Sequence, residues 1–298
     1  MQVPMSYGRT ELEEAFGDRF ASLHLLGKGG EGAVFAAWDR VKKLDLALKI
    51  SVDNGDPAQH ARFEREYQIL AVARSPRLVR VFDHGRKSIR RPDRTRQAHF
   101  WYSMEKCDAS LRQVYRSLDL SERLSAVLQM LDGLAFLHGQ NIAHRDIKPE
   151  NLFLVRDAAA GLSVKIGDFG IATITRRAPN AVGGSVYGSP AYLAPERWLQ
   201  DADDDWRPAD QYAAGITAYE LLSLGTPPLD FSQDYHTAHA SGPVRPLTIP
   251  ELRGWRLPGV SSVLKRMLAK MPSWRYPEVR SCKAELESAL LQDGVTAG

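Results

Sequence analysis

The chain has 298 residues, 44% apolar and 25% charged, with a formal net charge of +3. That length allows one large or two smaller domains with a sizeable buried core. So small a net charge gives no global case for nucleic-acid binding, and no nucleic-acid partner is expected. The two cysteines, Cys107 and Cys282, form neither a C-x-x-C pair nor a zinc pattern. They read as reduced thiols in a reducing compartment, hence a cytoplasmic chain. The opening MQVPMSYGRTELEEAF has no basic stretch followed by an apolar one, so no signal peptide is expected. The best membrane candidate, Tyr212 to Leu224, is short of the ~20 apolar residues required. It is also broken by Thr217 and Glu220, so no membrane partner is expected.

Taken in order, residues 1 to about 18 read as a lead-in. Phe20 to Lys49 reads as strands around a glycine-rich turn, and 58–73 as an amphipathic helix. Strand-like runs follow at Leu78–Asp83 and Ala98–Glu105. The basic stretch GRKSIRRPDRTRQ between them reads as a solvated hairpin loop. The pattern then turns helical, at 109–117 and at 121–139, the second capped by Ser121 and ended near Gly139. Asn151–Val155 and Ser163–Ile166 read as strands. From about 190 the chain is mostly helical, with a proline-rich interruption at 226–258. A strand-rich first third and a helix-rich remainder predict an α+β protein of two lobes meeting near Glu105–Asp108.

Five segments carry chemistry. Gly27, Gly29 and Gly32, with Val34, fit G-x-G-x-x-G-x-V. Such glycines let a β-turn approach phosphates closely enough for backbone N–H groups to reach their oxygens. Alone, the segment reads equally well as a glycine-rich hairpin. It is followed by a strand rather than a helix, which disfavours a Rossmann site. Fifteen residues after Val34, Lys49 sits among Leu46, Ala47, Leu48 and Ile50. A lysine there either faces solvent or aims its charge at phosphates with a carboxylate beside it. The helix at 58–73 offers Glu66, on the inward face with Leu70, and Glu64 as the solvated alternative.

His144-Arg-Asp146-Ile-Lys148-Pro-Glu-Asn151 puts six polar or charged residues in eight between two apolar runs. There Asp146 can take or orient a hydroxyl proton, Lys148 can neutralise a moving phosphoryl group, and Asn151 can give oxygen to Mg²⁺. Asp168-Phe169-Gly170 follows the strand Val164–Ile166 and offers a carboxylate for a hard cation. Ala194-Pro195-Glu196 comes twenty-six residues later.

In this order the segments GKGGEGAV, ALKI, HRDIKPEN, DFG and APE resemble the protein kinase superfamily, over about residues 20–292. The resemblance implies a lead-in at 1–19, a small β-rich lobe at 20–105, a larger helical lobe at 106–292 and a tail at 293–298. ATP and Mg²⁺ would be bound in the cleft. It implies phosphate cover by Gly27, Gly29 and Gly32, a Lys49–Glu66 pair, and a gatekeeper at Met104. Adenine would bond the main chain of Glu105 and Cys107, between Leu26, Val34, Ala47 and Phe153. Asp146 would be the catalytic base, Lys148 the phosphate-side cation, and Asn151 and Asp168 the metal ligands. Glu196 would pair with Arg275, and Asp210 would tie down the catalytic-loop backbone.

Lys148, and Ser189 in GSPAYL touching Asp146 and Lys148, resemble the serine/threonine type, with a bacterial texture. ATP and protein substrates are then the partners. Arg145 would lie unpaired until phosphate arrives on the activation segment. The candidate acceptors are Thr173, Thr175, Ser185 and Tyr187, with Ser185 or Thr175 favoured and two copies meeting for autophosphorylation. Phe153 is bulkier than the usual leucine, and 226–258 matches poorly. The acidic run Asp201 to Asp205 reads as a solvated loop. A scaffold that had lost catalysis would lack Lys49, Asp146 or Asp168, and all are present. A small-molecule kinase of the aminoglycoside type would lack the APE and GSPAYLAPE segments, which are also present.

Overall fold

The computed structural model describes residues 9–29, 32–51, 57–90, 93–157, 161–174, 188–198, 205–232, 234–252 and 257–295. It divides into two compact units. One holds residues 1–74, 79–107 and 168–170, and the other holds 75–78, 108–167 and 171–298.

The first unit is built on a five-stranded antiparallel sheet. Its strands are β1 (Phe20–Lys28), β2 (Gly32–Asp39), β3 (Leu44–Ser51), β4 (Val81–Arg90) and β5 (Arg96–Glu105), in the order β1-β2-β3-β5-β4. β3 is central and buried from Leu46 to Ser51, which is why apolar Leu46, Ala47, Leu48 and Ile50 surround Lys49. Helix α1 (Arg9–Phe16), within the stretch read as a lead-in, packs on β1 and β4. Its Leu12, Ala15 and Phe16 join Phe20, Leu23, Phe35 and Ile89 in one apolar cluster, and Phe16 and Phe20 pack edge-on against Trp101. Helix α2 (Pro57–Val72) buries Phe63, Glu66, Ile69 and Leu70 along one face and exposes Glu64.

The basic stretch after Asp83 does join the two strands as a hairpin, but much less of it is loop than its composition suggests. It forms most of a long hairpin, with pairing carried out to Arg90↔Arg96. The alternation explains the difference: Ile89 and His99 are buried, while Ser88, Arg90, Arg96 and Ala98 face out. Arg86 lies 4.5 Å over the Phe100 ring. Charge density masked a period-2 pattern.

The second unit begins with β6 (Ala109–Ser110) and the one-turn helix α3 (Leu111–Val114). The long helix α4 (Leu120–Gly139) follows, with β7 (Ile142–Ala143) after it. β8 (Leu152–Asp157) and β9 (Gly161–Ile166) pair antiparallel beside β6, and β10 (Thr173–Ile174) pairs with β7. Helices α5 (Arg207–Leu222), α6 (Tyr235–Ser241), α7 (Pro258–Met267) and α8 (Val279–Gln292) follow, joined by irregular segments. Helices α4 and α5 are buried along most of their length. Among the described residues, no helix is long and apolar enough to cross a membrane.

Helix α4 starts one residue before the expected point, and its cap is Asp119 rather than Ser121. Asp119 Oδ1 accepts from Glu122 N–H at 2.8 Å, and Glu122 Oε2 accepts from Asp119 N–H at 3.1 Å, a reciprocal capping box. Replacing Asp119 by alanine removes one of these bonds and a charge that favours the helix N-terminus. The expected cost is about 1 kcal/mol, read as a fall in the thermal midpoint of about 2 °C by calorimetry. An unchanged midpoint would count against this cap.

Candidate active site

In the first unit, β2 and β3 set Val34 opposite Lys49, and β3 and β5 set Ala47 opposite Met104 and Lys49 opposite Tyr102. The glycine segment is the β1–β2 turn, closed by a bond from Gly29 N–H to the Gly32 carbonyl at 2.8 Å. Its glycines differ. A Cβ on Gly27 or Gly29 would meet nothing within 4 Å, whereas one on Gly32 would lie 2.4 Å from the Ile50 carbonyl oxygen. Gly32 is therefore required by the neighbouring strand itself. Leu26 is exposed, Val34, Met104, Glu105 and Cys107 are half-buried, and Ala47 is buried. Phe153 belongs to the second unit, on β8, opposite Ser110 and Lys165.

Lys49 is only 8% exposed, and its Nζ lies 2.6 Å from Glu66 Oε2. Glu66 Oε1 accepts from Phe169 N–H at 3.3 Å, and Asp168 Oδ1 stands 3.8 Å from Lys49 Nζ. Burial alone would pull the Lys49 ammonium down, but the charge of Glu66, with Asp168 also near, holds it well above its ordinary value. Lys49 is thus a fixed cation. Asp168 has φ +61, a left-handed conformation uncommon for aspartate, and its carboxylate is half exposed. Glu64 takes no part and faces solvent.

In the second unit, the turn between β7 and β8 gathers Asp146, Lys148 and Asn151. Lys148 Nζ lies 2.6 Å from Asp146 Oδ2 and 2.7 Å from Ser189 Oγ, and Ser189 donates to Asp146 Oδ1 at 3.0 Å. Asn151 Nδ2 donates to the Asp146 carbonyl at 2.8 Å and to its Oδ2 at 2.9 Å. Those two bonds orient the amide so that Oδ1 is its acceptor end. Beneath this set, Asp210 is buried at 1% exposure and accepts from His144 N–H at 2.8 Å and Arg145 N–H at 2.7 Å. His138 Nε2 lies 3.0 Å from the same carboxylate. His144 Nδ1 accepts from Asp146 N–H at 3.3 Å, so Nε2 carries the proton and donates to the Gly167 carbonyl at 3.0 Å. Glu196 and Arg275 form a bidentate pair, both bonds 2.7 Å, with Arg275 at 2% exposure.

One contact was out of reach of motif reading. Arg145 does not stand unpaired: its guanidinium lies 3.9 Å over the Trp206 ring, and Arg197 lies 4.4 Å from the same ring. Nothing in the spacing of Arg145 and Trp206 announces that contact. Of the acidic run, Asp205 is bonded to Arg207 at 2.7 Å, and Asp201 to Asp204 lie outside the described residues. So do Thr175, Ser185, Tyr187 and the side chain of Thr173. Cys282 is fully buried, and burial pushes its thiol up to about 12; neither cysteine is in a disulfide.

A β-rich unit carrying a lysine–glutamate pair beside a strand-end aspartate, and a helical unit carrying an aspartate–lysine–asparagine turn, are the parts of a protein kinase domain. The protein kinase domain profile matches residues 20–283, and the chain belongs to that family. It is 32% identical over 273 residues to the serine/threonine-protein kinase pkn2 of Myxococcus xanthus, covering 86% of this chain and 31% of that protein. A probable serine/threonine-protein kinase of Streptomyces coelicolor is 31% identical over 302 residues, covering 95% and 41%. Serine/threonine-protein kinase PknB of Mycolicibacterium smegmatis is 31% identical over 280 residues, covering 90% and 42%. The chain is thus of the bacterial serine/threonine type, and spans about a third to two fifths of the length of these relatives. ATP is the substrate the family implies.

The turn that holds Ser189 has a titratable support. His239 is fully buried, with Nε2 3.0 Å from the Pro190 carbonyl and Nδ1 2.9 Å from Tyr212 Oη. Nε2–H donates to the carbonyl, and the tyrosine hydroxyl donates to Nδ1. Burial first, and the charge of Lys270 after it, push the imidazole down to about 4. The unfolded chain takes up this proton nearer 6.5, so the stability His239 contributes is full above that pH and is lost as pH falls toward about 4. The difference in thermal midpoint between native protein and His239→Phe is expected to be largest near pH ~7 and to shrink on acidification. A difference that does not vary with pH would contradict this assignment.

Proposed function

We propose that the chain is a serine/threonine protein kinase that moves the γ-phosphoryl group of ATP to serine or threonine hydroxyls of proteins. The observation that carries this reading is the hydrogen-bonded set of Asp146, Lys148, Ser189 and Asn151, with Asp146 already holding one hydroxyl at 3.0 Å. A substrate hydroxyl would present the same chemistry to that carboxylate. Asp146 would orient it and take its proton as its oxygen forms a bond to the γ-phosphorus. The bond from that phosphorus to the β–γ bridging oxygen breaks, and ADP leaves. Lys148 would offset charge on the moving phosphoryl oxygens. Lys49, held by Glu66, would hold the α- and β-phosphates, under the turn of Gly27, Gly29 and Gly32.

Asn151 and Asp168 would each give oxygen to Mg²⁺. Hard oxygen donors of this kind fit that ion, which binds through one or two protein groups and completes its shell with phosphates and water. Among the described residues no cluster of three or more His, Cys, Asp or Glu could hold a metal by itself, so the nucleotide would supply the remaining ligands. Magnesium would neutralise phosphate charge in the transition state. Met104, Glu105, Cys107, Leu26, Val34, Ala47 and Phe153 are the residues we assign to the adenine. We assign autophosphorylation to Ser185 or Thr175, carried out between two copies of the chain. The cation–π contact of Arg145 with Trp206 means a phosphate there would compete with the indole for that guanidinium. Two cysteines outside any disulfide favour a reducing, cytoplasmic setting.

The test is labelled ATP with Mg²⁺, on the native chain and on Asp146→Asn, with phosphosites mapped by mass spectrometry. The expected result is label on serine or threonine in the native protein and a loss of about 10²–10⁴-fold in the variant. Equal labelling of the two, or label confined to tyrosine, would overturn the reading.

A further inference from the structure

One guanidinium joins four segments of the second unit. Arg112, on the one-turn helix α3, donates from Nε to Glu150 Oε1 at 2.7 Å and from Nη2 to Tyr192 Oη at 2.5 Å. It also bridges both carboxylate oxygens of Glu220 on α5, through Nη1 to Oε1 and through Nη2 to Oε2 at 3.3 Å. Tyr192 closes the set by donating its hydroxyl to Glu220 Oε2 at 2.6 Å. All three guanidinium nitrogens are engaged. Glu220 is the enclosed partner, its side chain 13% exposed, and Glu150 is the open one at 43%.

The location of the two outer partners gives this cluster its meaning. Glu150 lies in the turn Pro149–Asn151, next to Asn151, whose amide donates to Asp146. Tyr192 ends the turn Pro190–Tyr192, whose first carbonyl and hydroxyl come from Ser189, and Ser189 Oγ donates to Asp146. The clamp therefore grips both turns that contact the carboxylate of Asp146, and grips neither directly at that carboxylate. We propose that Arg112 is a positioning residue for phosphoryl transfer, fixing the Ser189 turn to the Asn151 turn and so setting where Asp146 and Lys148 stand. The inference rests on the kinase reading above.

The chemistry requires arginine. Three partners around one planar group need its fork of five N–H donors, and a lysine ammonium is a compact charge with three donors. Without the guanidinium, two carboxylates remain on either side of Tyr192 with no cation between them, and the turns are pushed apart. A misplacement of about 1 Å at a reacting group costs up to roughly a hundredfold in rate. Lys49, Glu66 and Asp168 have no bond to this cluster among the described contacts, so nucleotide handling is not the quantity expected to move.

The experiment is steady-state kinetics on the full chain with a protein substrate, for native, Arg112→Ala, Arg112→Lys, Glu150→Ala and, as the rescue control, Asp146→Asn. Each is repeated with millimolar guanidinium chloride, and folding is followed by circular dichroism. Native activity is the control for the kinase reading; its absence defeats that reading and is seen before any variant is compared. With the native chain active, Arg112→Ala is expected to lose about ten- to a hundredfold in kcat. KM for ATP should stay within about twofold, since that binding is left intact. Arg112→Lys should recover little, and free guanidinium should restore part of the rate to Arg112→Ala but none to Asp146→Asn. Glu150→Ala opens only the exposed arm and should lower kcat in the same direction by less, which decides the matter should Arg112→Ala fail to fold. A folded Arg112→Ala or Glu150→Ala with native kcat overturns the proposal. So does a loss in which kcat, KM for ATP and the thermal midpoint fall together without response to guanidinium.

Discussion

A carboxylate with almost no access to water holds the turn before Asp146 in place. Asp210 accepts two consecutive backbone N–H groups, from His144 and Arg145, and sits beside His138. Backbone donors that are buried must be satisfied, and a charged acceptor satisfies them more strongly than a neutral one. With both bonds fixed, the chain leaves that point in one direction. Arg145 then takes a positive φ of 72°, His144 turns to the Gly167 carbonyl, and Asp146 follows at a defined position. Asp210 lies in the first turn of α5, where the helix dipole favours an anion.

The same helix supports the other side of the site. Ten residues after Asp210, about 15 Å along the axis, Glu220 anchors the Arg112 clamp. A carboxylate near a helix C-terminus is disfavoured by the dipole, and the guanidinium of Arg112 offsets that. Buried through most of its length, α5 acts as a rigid bar with a carboxylate near each end. One carboxylate fixes the backbone before Asp146, and the other fixes the turns that flank it. His239 adds a third support, through the Pro190 carbonyl.

What the sequence made legible follows the range of the interaction. Lys49, Asp146, Lys148, Asn151 and Asp168 stand in short segments whose spacing is itself the signal. Glu66 was separable from Glu64 because one helical turn decides which side chain is buried. Contacts across long separations left no such trace. Arg145 meets Trp206 61 positions later, and Arg112 meets Glu220 108 positions later, with residue types that elsewhere line solvent. The length of strands β4 and β5 was hidden because six cations outweighed the alternation of Ile89 and His99. The helix α4 boundary moved because Asp119 and Glu122 form a pair that serves the N-terminus better than Ser121 alone.

Membership of the protein kinase family says which parts the chain has, and the geometry says what keeps them in register. If the buried carboxylate of Asp210 is the constraint on which the catalytic turn depends, its charge should matter more to turnover than to folding. The direct measurement is kcat for protein phosphorylation by a folded Asp210→Asn variant, with folding verified by circular dichroism. The account predicts a loss of at least about tenfold in kcat, because Asp146 and Lys148 lose their fixed position. A folded variant that turns over at the native rate would contradict it.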